Sequence, residues 1–211
     1  MDNANIAIFA SGSGSNAENI IRHLSSAPNR EDGLTMAAPK SKIAAHSPNI
    51  KVSLILSNNK DAYVLQRAAN LGVTSFVFTK KELEQSLTVD NILKEHRIDF
   101  IILAGFLLKF PERLIKEYPR KIINIHPALL PKYGGKGMYG SNVHKAVVAA
   151  AERESGITVH LVDELYDNGE HLFQAKCPVT QNDTPETLAT KIHQLEADHF
   201  PAVIYRYIQS L

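Results

Sequence analysis

The chain has 211 residues, enough to bury a sizeable core without a disulfide or metal staple. Hydrophobic residues make up 44% of it and charged residues 21%, ordinary globular values that argue against a disordered or fibrous chain. Lys+Arg is 23 against 22 Asp+Glu, a net charge of +1, which argues against a bulk cationic surface for nucleic acid or anionic lipid but not against a local basic pocket.

In chain order, the short N-terminal stretch before residue 6 lacks the charged region and long apolar core of a signal peptide. Residues 6–10 are a continuous apolar run, followed by Ser11-Gly12-Ser13-Gly14-Ser15-Asn16 and then Ile20, Ile21 and Leu24 at helical spacing. Strand, glycine turn, helix is the reading. Residues 28–49 hold Pro28, Pro39 and Pro48 without periodicity and read as a long, flexible inserted loop. Strands are expected at 52–56 and 73–78, with a helix over 61–71 between them that stops at Gly72. A helix over 80–96 leads to a strand over 100–104 that is apolar on both faces, as a central parallel strand is. Pro111 starts a short helix, 122–126 is a fifth strand, and 142–154 is helical. Residues 157–162 and 173–179 then read as a hairpin turning at Asp167-Asn168-Gly169. Thr184-Pro185-Glu186 caps a last helix, which Pro201 either breaks or follows with a further turn. The alternation gives an α/β fold: a Rossmann-like, doubly wound, mainly parallel sheet with an antiparallel C-terminal addition, in a single domain over 1–211. Ligands of such sheets bind beyond the carboxyl ends of the strands, here the loops after residues 10, 56, 104 and 126.

Three groups of residues carry chemistry. The 11–16 loop offers glycines for close backbone approach and a helix N-terminus for an anion such as phosphate; it is neither G-x-G-x-x-G nor a Walker loop, and alone it is equally a tight turn with an N-cap. Asn124 and His126 point to one face of their strand at its carboxyl end, where an amide and an imidazole suit an oxyanion; alone, His126 reads as a satisfied core histidine. The 163–170 turn holds Asp163, Glu164, Asp167 and Glu170, most of them ordinary turn-formers, although one carboxylate beside an imidazole would orient it. The remaining histidines have no metal-site spacing and there is no Cys pair, so no metal is expected. The lone Cys177 reads as a buried, inert thiol and excludes an intrachain disulfide, which suits a cytoplasmic location. No apolar run is long enough to span a membrane.

Together with Leu103-Ala104-Gly105-Phe106, Thr158-Val159-His160 and Gln174-Ala175-Lys176, the glycine loop and the Asn124-Ile125-His126-Pro127 … Leu129-Leu130-Pro131 stretch resemble the formyl-transferase fold family, and within it the folate-dependent purine branch. The resemblance covers nearly the whole chain outside 28–49. It implies transfer of a formyl group from 10-formyltetrahydrofolate, as co-substrate, to the amine of glycinamide ribonucleotide in purine synthesis. It implies Asn124, His126 and Asp167 as the catalytic trio, with Asp167 preferred to Asp163 because a Gly-containing pair follows it. Ser13, Gly14, Ser15 and Asn16 would hold the substrate phosphate and Glu196 the ribose hydroxyls. Leu107, Leu108, Phe110, Asn124, Asp163 and Asp167 would line the folate side. Leu108 stands where many members carry Arg, so that a folate-side polar contact is either lost or supplied by Lys109; Tyr166 is an extra residue in the Asp167 loop, and His193 replaces a frequent glutamine. The partners implied are small molecules only, without nucleic acid or membrane, in a monomer or weak homodimer. Two other readings stay open: a formyltetrahydrofolate hydrolase, which usually adds a regulatory domain, and a non-catalytic nucleotide-binding module.

Overall fold

Seven strands pair in one sheet in the computed structural model, which describes residues 3–25 and 49–211. Most of the loop predicted at 28–49 lies outside the described residues. In chain order the strands are β1 (Asn3–Phe9), β2 (Asn49–Ser57), β3 (Thr74–Val77), β4 (Phe100–Leu103), β5 (Ile122–His126), β6 (Glu154–Leu161) and β7 (His171–Pro178). Their spatial order is β3-β2-β1-β4-β5-β6-β7. The β1–β5 block is parallel, and β6 and β7 are antiparallel. This is the mixed, mainly parallel sheet expected from the residue pattern. Because the strand order reverses beside β1, the β1 and β4 loops splay apart and leave a crevice.

The strands are apolar on both faces because helices cover both. Ile6, Ile8, Phe100, Ile102, Ile123 and Ile125 face a layer formed by α1 (Ser15–Ser25) and α7 (Pro185–Gln209). Ala7, Phe9, Leu54, Leu56, Ile101 and Leu103 face the opposite layer, which includes α4 (Thr88–Glu95) and α5 (Glu112–Glu117). Neighbours in sequence alternate between the two cores, as the strand period of two requires. The helices α2 (Tyr63–Asn70), α3 (Lys80–Gln85) and α6 (Ser141–Ala149) complete the layers.

Four elements differ from expectation. The helix predicted over 80–96 is two helices, α3 and α4. Ser86 is extended, and its hydroxyl donates to the Glu82 carbonyl and accepts the Thr88 N–H, closing one helix and opening the next. The helix over 142–154 stops at Ala149, because Ala151 turns to φ 48° and the chain enters β6 at Glu154. Residue 49 belongs to β2, where Asn49 pairs with Asn3. Pro201 neither breaks nor ends α7. A proline leaves the carbonyl four residues earlier without its helical donor, and the Asn19 side-chain amide of α1 donates to that carbonyl, Ala197 O, at 2.7 Å.

A buried hydroxyl ties down the start of the chain between β5 and α6. Thr158 Oγ1 donates to Ala128 O at 2.7 Å and accepts from Leu130 N at 3.0 Å and Gln174 Nε2 at 2.9 Å. Thr158→Val keeps the volume and strands these partners. We expect a loss of about 1–3 kcal/mol in urea unfolding; an unchanged midpoint would show that the network contributes nothing net.

Candidate active site

The loops at the carboxyl ends of β1, β4 and β5 and the β6–β7 turn enclose one cavity of about 530 Å³, a size typical of small-molecule sites. Every candidate residue drawn from the sequence lines it: Ser13 to Asn16 at one end, Leu107, Leu108 and Phe110 at another, Asn124 and His126 between them, and Asp163, Asp167 and Glu196 on the walls.

The glycine loop is built by close packing. Gly14 has φ 73°, and a Cβ there would lie 2.4 Å from Val64 Cγ2 and 2.8 Å from Val64 Cα, so only glycine fits. Arg67 of α2 donates from Nε to Ser13 O at 2.8 Å and pairs with Glu18, bracing the turn. Ser11 Oγ donates to Asn58 Oδ1 at 2.7 Å and accepts from Leu107 N at 3.1 Å, tying this loop to the one after β4. The first N–H groups of α1 have no intrahelical partner and carry the positive end of the helix dipole. Asn16 Nδ2 donates to Glu196 Oε2 at 2.8 Å. Burial pushes the Glu196 carboxyl up, and the Asn16 hydrogen bond only partly opposes that.

The Leu107–Phe110 segment is apolar apart from Lys109. Phe110 stacks edge-on against Phe9, with ring centroids 5.2 Å apart, so its side chain belongs to the core and its main chain meets the cavity. Leu107 is exposed. Lys109 also lines the cavity, with its ammonium 3.7 Å from Glu112. Asp163 accepts from Leu165 N and Asn168 Nδ2, so its carboxylate shapes the turn, as carboxylates there commonly do.

Asn124, His126 and Asp167 meet at the centre. His126 is buried; its Nε2 lies 2.8 Å from Tyr133 O, and a carbonyl only accepts, so Nε2 carries the proton. Its Nδ1 faces Asp167 Oδ2 at 3.6 Å. Asp167 Oδ2 also accepts the Gly135 N–H at 2.9 Å. Asp167 sits at φ 52°, a conformation that aspartate tolerates better than most residues. Burial pushes its carboxyl up, but the flanking imidazoles of His160 and His126 in their charged forms and the Gly135 N–H together outweigh that and hold it below the usual carboxylate range. Burial lowers the His126 imidazole, only partly offset by Asp167 and the Tyr133 carbonyl. The result is a buried imidazole beside a carboxylate, with Nδ1 free to take up a proton and Nε2 anchored. Three further histidines to which the sequence assigns no role line the cavity wall, His144, His160 and His193. Asn124 Nδ2 is 3.0 Å from His160 Nε2.

His126 and Asp167 both have folded-state pKa values below their unfolded ones, so the folded state binds fewer protons and stability falls on acidification. For His126 the loss begins as pH drops below about 6.5, the ordinary imidazole value. We expect His126→Asn to flatten the slope of unfolding free energy between about pH 5 and 6.5; an unchanged slope would show that His126 does not couple to folding.

Among the described residues no group of three or more His, Cys, Asp or Glu is arranged to hold a metal, and no helix is long and apolar enough to cross a membrane. Cys177 is buried, which raises its thiol pKa.

A family model described as formyl transferase matches residues 4–204. The chain is 39% identical over 192 residues to phosphoribosylglycinamide formyltransferase, chloroplastic, of Arabidopsis thaliana, covering 89% of this chain and 59% of that protein. It is 31% identical over 205 residues to phosphoribosylglycinamide formyltransferase of Haemophilus influenzae, covering 94% of this chain and 84% of that one. The crystal structure of phosphoribosylglycinamide formyltransferase from Streptococcus pneumoniae superposes with a TM-score of 0.78 at 30% identity, over 97% of this chain and 99% of that one. The chain thus spans less than two thirds of the plant relative's length. The family match runs through the glycine loop, β5 and the Asp167 turn alike, and the chain belongs to the formyl transferase family.

Proposed function

We propose that the protein transfers the formyl group of 10-formyltetrahydrofolate to the amine of glycinamide ribonucleotide. The observation that carries this is one cavity joining an anion cradle at Gly14–Asn16, an apolar wall at Leu107–Phe110 and, between them, the Asn124–His126–Asp167 cluster. A phosphorylated amine and a folate bound at the two ends would meet at that cluster.

The acceptor amine attacks the formyl carbon, and the carbonyl π electrons move onto oxygen. A side-chain N–H of Asn124 and His126, once its Nδ1 has taken up a proton from solvent, stabilise that charge. Asp167 steadies the imidazolium and receives the amine proton through water. As the bond from carbon to N10 of the folate breaks, the proton passes to N10 and tetrahydrofolate leaves. No side-chain nucleophile takes the formyl group. Glu196 takes the ribose hydroxyls and the Gly14–Asn16 backbone the phosphate. The protein would work as a single domain over 1–211, a reading supported by the family match over residues 4–204, and as a monomer or weak homodimer in the cytoplasm.

A ¹³C-formyl label on the folate is expected to appear on the ribonucleotide amine by NMR. Label recovered as formate would overturn the reading in favour of hydrolysis. Gly14→Ala is expected to raise KM for the ribonucleotide by at least about tenfold, roughly 1.4 kcal/mol, with KM for the folate little changed. Equal effects on both would move the phosphate away from this loop.

A further inference from the structure

His160 has no part in the chemistry described so far. We infer that His160 is a positioning residue that locks the Asn124 amide with one N–H bound to the imidazole and the other presented to the formyl oxygen, an inference that rests on the formyl-transfer reading above.

The sheet register brings the two together. In the antiparallel β5–β6 pair Asn124 lies directly opposite His160, so the two side chains share a face. His160 is 2% exposed. Its Nδ1 lies 2.8 Å from Leu161 O, and a carbonyl can only accept, so Nδ1 carries the proton. In the neutral ring Nε2 is then a lone pair, and the Asn124 atom 3.0 Å from it is the amide nitrogen. Turning the amide over would set Oδ1 against that lone pair, acceptor against acceptor. Among the described residues, His160 is the only hydrogen-bond partner of the Asn124 side chain. An unanchored amide presents its oxygen to the substrate as readily as its nitrogen, and an amide oxygen repels a developing oxyanion.

The anchor is itself braced. A Cβ at Gly169 would lie 1.8 Å from Leu161 O, so the turn carrying Asp167 packs directly on the carbonyl that fixes the His160 tautomer. Asp167 Oδ1 stands 3.7 Å from His160 Nε2, too far to replace Asn124 as its partner. The carboxylate faces imidazoles on both oxygens, His126 at 3.6 Å and His160 at 3.7 Å.

His160→Phe keeps a flat ring and removes the acceptor. It is expected to lower kcat by roughly 10–100-fold, less than removal of the donor itself, with KM for both substrates within a few-fold. His160→Gln, whose amide oxygen can accept the same N–H, is expected to recover part of the loss. In an Asn124→Ala background, His160→Phe should have no further effect on single-turnover rate, because its route of action is gone. An undiminished loss there would overturn the inference, as would Phe and Gln variants of equal activity. In the unmodified protein, ¹⁵N NMR of the imidazole is expected to show the Nδ1–H tautomer; Nε2–H would refute the lock even if the Phe variant failed to fold. Failure of the formyl-transfer reading would register separately, as absence of ribonucleotide-dependent turnover in the unmodified protein.

Discussion

Asp167→Asn is expected to lower kcat by on the order of 10³-fold, within the range for loss of a positioned acid–base group, while KM for both substrates changes little. The substitution isolates charge from shape. Asparagine keeps the volume and tolerates the left-handed backbone that Asp167 adopts. Its Oδ1 can still accept the Gly135 N–H. It cannot hold the proton shed by the acceptor amine, and it cannot balance the charge on His126, whose Nδ1 lies 3.6 Å away. Steady-state kinetics across pH checks this, and a kcat within a few-fold of the unmodified enzyme would remove Asp167 from the proton path.

Asn124→Ala is the second large effect. The lost amide donor should cost roughly 10²–10³ in kcat, about 3 kcal/mol of transition-state stabilisation, as removal of one oxyanion-hole donor does. Asn124 is half-buried in the middle of β5, and the only hydrogen-bond partner of its side chain among the described residues is His160, so little else is disturbed. Ground-state affinity for both substrates should therefore stay close to that of the unmodified protein. A matching loss of affinity would mean that Asn124 binds substrate uniformly rather than acting on the transition state.

Much of the scaffold was legible because its signals are local. The apolar runs of β1, β4 and β5 and the turn residues between them need no knowledge of the rest of the chain. The sequence also marked the loops where ligands gather, because the strand–helix alternation dictates which ends of the strands are open. Asn124 and His126 were readable as a pair, since two residues apart in a strand means one face. What stayed hidden depends on long-range partners. His160 meets Asn124 only through the β5–β6 register, which a hairpin pattern does not specify. Pro201 passes through α7 because Asn19, far away in sequence, takes the orphaned carbonyl. Lys109 pairs with Glu112, a contact that needs the start of α5 in place. The break at Ser86 is the local exception: a short polar side chain that bonds its own backbone was there to be read as a stop.

The central claim is direct transfer between two bound substrates at one site, and single-turnover kinetics test it most directly. The enzyme is mixed with 10-formyltetrahydrofolate alone and then with glycinamide ribonucleotide added. The account requires no tetrahydrofolate until the ribonucleotide is present, then release in step with its formylation. Tetrahydrofolate released without acceptor, whether as one burst per enzyme or as continuous turnover, would contradict it.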